Sequence, residues 1–116
     1  MGALTCEPIR VPQSIIEGCL AAKPALRRTY GTLAADWLRR NEVAAATLEA
    51  QCHDAIPRQT SDPQEVERFW MDVRRMNDET IRERLSEYAA SSSGCDDALM
   101  KIQNGKGDLD WFLLKK

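Results

Sequence analysis

Hydrophobic positions recur with a helical period along almost the whole chain. Ser14 stands at capping-box spacing from Glu17, and Ile15, Ile16, Cys19 and Leu20 then share one helical face until Lys23-Pro24 ends or kinks the helix. Leu26, Tyr30, Leu33 and Trp37 follow at steps of four, three and four, the seam of a helix packed on another helix. Arg27, Arg28, Arg39 and Arg40 fall outside that seam or at its margins. Asn41 is a candidate terminator, but Leu48, Cys52, Ala55 and Ile56 prolong an apolar face, so 24–57 reads as one bent helix or two short ones.

Pro57 to Asp62 reads as a connector, after which Ser61-Asp62-Pro63-Gln64-Glu65 supplies a cap, a first-turn proline and early acidic groups; a new helix starts near 63. Its stripe of Val66, Phe69, Trp70, Val73 and Met76 carries on through Ile81, Leu85 and Tyr88. Unbroken, residues 63–89 would extend about 40 Å, beyond the core of a domain this size. That length favours a bend near Asn77-Asp78 or a helix shared with a second subunit in a homodimer. Ser91 to Gly94 breaks the pattern, and Cys95, Leu99 and Ile102 mark a last helix that Asn104-Gly105 closes through a left-handed cap.

The segments outside this pattern are the two ends. Residues 1–13, with Pro8 and Pro12, read as an irregular N-terminal arm; 14–104 form the bundle; 105–116, carrying Leu109, Trp111, Phe112, Leu113 and Leu114, form an apolar tail that docks on it. No stretch alternates with period two over a strand's length. The expectation is an all-α fold, one compact, disulfide-linked bundle of about five to six helices spanning 1–116.

Composition narrows the function classes. At 116 residues, 43% hydrophobic and 29% charged, the chain can bury one core and is unlike a disordered segment. Net charge is -2, with 7 basic and 6 acidic residues in 1–58 and 9 and 12 in 59–116, so neither half offers the field a nucleic-acid partner requires. No apolar run approaches the roughly 20 residues of a membrane span. The start, Met1-Gly2-Ala3-Leu4-Thr5-Cys6, lacks an export signal and fits a start placed after a trimmed signal peptide, with a native cytosolic start as the alternative.

Cys6, Cys19, Cys52 and Cys95 are separated by 13, 33 and 43 positions, far from the close pairs of zinc sites. Cys19, Cys52 and Cys95 lie on apolar faces, as buried free thiols would. An even count in a small domain with a Cys-bearing arm also fits two disulfides in an oxidising compartment. Of three pairings the preferred one is Cys19 with Cys95, first helix to last, and Cys6 with Cys52, arm to bundle; spacing leaves the other two open.

Catalytic constellations are not in evidence. His53, the only histidine, adjoins Cys52 in sequence, but neighbouring helical positions point about 100° apart and do not make a nucleophile pair. Asp96-Asp97 suits a helix's opening turn, and Asp108-x-Asp110 lacks the calcium-loop pattern. Glu65, Glu67, Arg74, Arg75, Arg82, Arg84 and Glu87 read as a solvated face. No nucleophile elbow, phosphate loop or metal-binding His pair occurs, so the chain is expected to be a non-enzymatic binding protein without cofactor or metal. Trp37 and Trp70 read as core, and Trp111 as open to an interface role.

The order of Cys19, Pro24 and the Tyr30-to-Trp37 helix, then a late helix from Cys95 with Gly105 and Asp108-Leu109, resembles small helical periplasmic proteins of Gram-negative bacteria. Among them it is similar to the immunity proteins that neutralise type VI secretion amidase effectors, across roughly Ile15 to Phe112. The resemblance implies an all-α, often dimeric periplasmic protein that binds a peptidoglycan amidase and blocks its Cys-His site. Two polar connectors suit such a role, Arg58-Gln59-Thr60-Ser61 and Ser91-Ser92-Ser93-Gly94, either of which could enter a cleft or be an ordinary solvated loop. The competing readings are a cytosolic interaction module, such as a secretion chaperone or regulatory subunit, and a periplasmic lysozyme inhibitor.

Overall fold

A computed structural model describes residues 3–110, with 57 and 58 described by their backbone alone. Among these residues there are six α-helices and no strand: α1 Ala3–Cys6, α2 Arg10–Ala22, α3 Arg27–Tyr30, α4 Leu33–Gln59, α5 Pro63–Ala89 and α6 Gly94–Gln103, with a 3₁₀ turn at Pro24–Leu26. Trp111 to Leu114, expected as a docking tail, lie outside the described residues.

The expected irregular arm is instead largely helical. Glu7 N–H reaches Ala3 O at 3.3 Å and closes α1, and α2 begins at Arg10 rather than at Ser14. The reason is that Pro12 falls in the first turn of α2, where a missing N–H costs nothing. Val11, Ile15, Ile16, Cys19 and Leu20 form its buried face.

Past Pro24 the expected seam is real but its helix is broken. Tyr30 ends α3, and α4 restarts at Leu33 with Thr32 at φ -104°. Helix α4 then runs 27 residues without a stop at Asn41. Asn41 is buried at 1% exposure, its Nδ2 donating to Trp37 O at 2.9 Å and to Asp108 Oδ1 at 3.3 Å. Its Oδ1 accepts from Leu109 N–H at 2.7 Å. A residue expected to end a helix is thus the buried clamp on the returning chain end.

Helix α5 begins as expected, with Asp62 accepting from Gln64 N–H at 2.9 Å and Pro63 in the first turn. It is unbroken over 27 residues, and the molecule accommodates it by being elongated, 48 × 25 × 20 Å. Its length therefore needs neither a bend nor a second subunit. The inward stripe shifts at its centre: Met76 is exposed, and Asn77 is buried in its place, donating to Ala3 O at 3.1 Å and Glu7 Oε1 at 3.0 Å. The phase toward α2 then continues through Ile81, Leu85 and Tyr88, and Gly18 permits the crossing, since a Cβ there would stand 2.7 Å from Leu85 Cδ1.

Two apolar clusters result, each holding one disulfide. The larger joins α2, α4 and α6 through Ile16, Leu20, Leu33, Trp37, Leu48 and Leu99, with Tyr30 and Leu109, and contains Cys19–Cys95. The smaller, Val73 with Phe69 and Trp70 against it, contains Cys6–Cys52. This is the pairing preferred from the sequence. The chain then leaves α6 through Gly105 at φ 87°, with Lys106 N–H on Lys101 O at 3.0 Å, as a left-handed cap requires.

Candidate interaction surface

Because α5 packs along one side only, with Val73 and Asn77 its only buried residues, the opposite side faces outward for the helix's whole length. Glu67, Trp70, Met71, Arg74, Arg75, Asp78 and Arg82 recur there at helical spacing and, with Glu7 of the α1–α2 link, border an open groove of about 750 Å³. Met71 is 63% exposed. Glu67, Arg74, Arg75 and Arg82, expected on a solvated face, are all exposed, and Met71 is exposed among them. A methionine in the middle of a charged stripe was the available signal.

The groove is held in shape by contacts across elements. Arg74 Nε donates to Glu7 Oε2 at 2.9 Å, and that bond raises the guanidinium pKa further. Arg10 Nε donates to Asp78 Oδ1 at 3.2 Å. Trp70, expected in the core, is half-buried: Phe69 meets it edge-on at 5.3 Å, and exposed His53 of α4 lies over it with ring centroids 4.7 Å apart. The indole is thereby held between two rings while Trp70 also lines the groove.

The two polar connectors prove different from each other. Arg58 and Gln59 belong to the last turn of α4, so the first corner shrinks to Thr60, Ser61 and Asp62, where Thr60 Oγ1 accepts from Asp62 N–H at 3.1 Å. Their expected place in a loop is corrected by the helix running through Pro57. Ser91, Ser92 and Ser93 do form an exposed turn. Lys23 Nζ donates to Ser92 O, and Ser93 Oγ donates to Asp97 Oδ2 at 3.1 Å. Gly94 opens α6, and a Cβ there would stand 2.2 Å from Tyr88 O, so the turn closes tightly on α5. The two corners cap opposite ends of α5, about 40 Å apart at helical rise. They do not converge on one site.

Candidate reactive groups are also accounted for. All four sulfurs are in disulfides and buried. Asp96 accepts from Tyr30 OH at 3.0 Å, and Asp108 pairs with Arg40 at 2.7 Å. Burial, then the Asp96 bond, raises the Tyr30 pKa; the Asp108 bond raises that of Arg40. Among the described residues no group of three or more His, Cys, Asp or Glu could hold a metal ion, and no helix is long and apolar enough to cross a membrane. No family model, no curated protein and no solved structure matches the chain.

Proposed function

We propose that the chain is a non-enzymatic inhibitor of an oxidising compartment, a periplasmic immunity protein that binds and blocks a peptidoglycan amidase delivered by type VI secretion. The observation that carries a binding role is the outward face of α5, where Trp70, Met71, Arg74, Arg75 and Arg82 are presented on a rigid helix. Aromatic residues, Met and Arg are the types that interface cores favour. A surface already ordered by Glu7, Arg10 and His53 loses little entropy on association. Two disulfides support the compartment, since such bonds persist where thiols are not continually reduced.

In this reading α5 supplies the main contact and the Ser91-Ser92-Ser93-Gly94 turn at its far end is the segment that reaches a cleft. The Thr60-Ser61 corner is too distant to take part in the same contact. Digestion of peptidoglycan by a panel of type VI amidases, with and without the chain, tests the proposal, and lysozyme is the parallel arm. Suppression of one amidase is expected, lost on Met71→Glu or on insertion of a lysine after Ser92 while helix content is unchanged. Undiminished digestion by every amidase rejects the reading, and suppression of lysozyme alone replaces the target.

A further inference from the structure

A second cavity, sharing no lining residue with the α5 groove, lies where α2, α5, α6 and the returning chain end meet. Its volume is about 350 Å³, at the lower end of the roughly 300–1,000 Å³ typical of ligand pockets. The floor is apolar, with Val11, Ile15, Trp37 and Leu109 all buried. Among the described residues the charged lining groups are Arg84, Lys101 and Lys106, and no carboxylate lines it.

What sets the rim apart is that three cations gather on one apolar cavity with no anion among its described lining residues. Arg10, Arg39, Arg40, Arg74 and Arg75 all have carboxylate partners. Among the described residues Arg84, Lys101 and Lys106 have none, and all three are exposed. Lys106 stands at the rim between Gly105 at φ 87° and Gly107 at φ 81°, a backbone that glycine alone adopts readily. An apolar slot rimmed by uncompensated positive charge matches one chemistry, an alkyl chain ending in an anion.

We propose that this cavity binds a free single-chain anionic amphiphile, an alkyl carboxylate, with its chain over Trp37 and Leu109 and its head at Arg84, Lys101 and Lys106. The volume admits one chain and excludes the paired chains of a phospholipid. The apolar floor supplies attraction without direction, and the rim sets orientation. Because the rim is solvent-exposed, affinity should fall as ionic strength rises.

The test is calorimetric titration of the full chain with sodium dodecanoate below its micelle concentration, with dodecan-1-ol as the uncharged control and the Trp37 indole N–H resonance as the locator. Saturable binding that shifts that resonance is expected, weakened about tenfold or more by Lys101→Glu with Lys106→Glu and by dodecan-1-ol. Four outcomes would overturn the proposal: no saturable binding, a complex that leaves the Trp37 resonance unmoved, equal affinity for the alcohol or in the charge-reversed variant, or capture only on anionic vesicles.

Discussion

Replacing Asn41 by Ala removes one side chain that serves three partners at once. Leu109 N–H, now bonded at 2.7 Å to Asn41 Oδ1, would be left without an acceptor beside a side chain only 1% exposed. An orphaned buried donor costs about 1–3 kcal/mol, and the bonds from Nδ2 to Trp37 O and Asp108 add about 1 kcal/mol more. The Arg40–Asp108 pair, with side chains 36% and 20% exposed, is present in parent and variant alike and cancels from the difference. The net expectation is a loss of about 2–4 kcal/mol. For a chain of 116 residues that lowers Tm by about 8–16 °C. Urea unfolding gives the global value, and hydrogen exchange at the Leu109 amide gives the local one; both should change, with m unaltered. Asn41→Asp separates bonding from shape, since a carboxylate there still accepts from Leu109 but repels Asp108, and the variant should recover stability as pH falls. A loss below about 0.5 kcal/mol with Leu109 protection intact would refute the clamp.

Three further outcomes follow from other contacts. Removing either bridge, by Cys6→Ala with Cys52→Ala or Cys19→Ala with Cys95→Ala, should cost about 4 kcal/mol, because the sequence separations of 46 and 76 close long loops; melting within a few degrees of the parent would contradict this. Tyr30 has its pKa raised above 10.0, so its contribution is complete below pH 10 and lost as pH climbs through the folded value; Tyr30→Phe should flatten the alkaline arm of a stability-versus-pH curve, and an unchanged arm would remove Tyr30 as its cause. Gly94→Ala should lower Tm by several degrees by forcing the Tyr88 carbonyl away, whereas Gly18→Ala, opposed only by the mobile end of Leu85, should cost less; the reverse order in thermal melts would be a contradiction.

The helices were legible wherever an apolar stripe met a cap, as at Asp62-Pro63 for α5 and at Asn104-Gly105 beyond α6. What periodicity could not show was buried polarity. Asn41 and Asn77 were read by type, as a terminator and an interruption, yet each is buried because the chain ends bring it partners 67 to 74 positions away. Met76 lost the inward position to Asn77 for the same reason. The short α1 escaped notice because four residues cannot show a period. The corner residues Thr60, Ser61 and Ser91 to Ser93 were recognisable as polar, but only α5's unbroken length reveals that they sit at opposite ends. The groove was half-legible: its charges were on a common face in the sequence, and their fixation by Glu7 and Arg10 is tertiary.

Covalent closure of the two clusters underlies both the fold and the compartment in which the proposed inhibitor would act, and intact mass with peptide mapping under non-reducing, alkylating conditions tests it most directly. Protein recovered from an oxidising compartment should show no alkylated thiol and two linked peptide pairs, Cys6 with Cys52 and Cys19 with Cys95. Four alkylated cysteines, or a different pairing, would contradict the account.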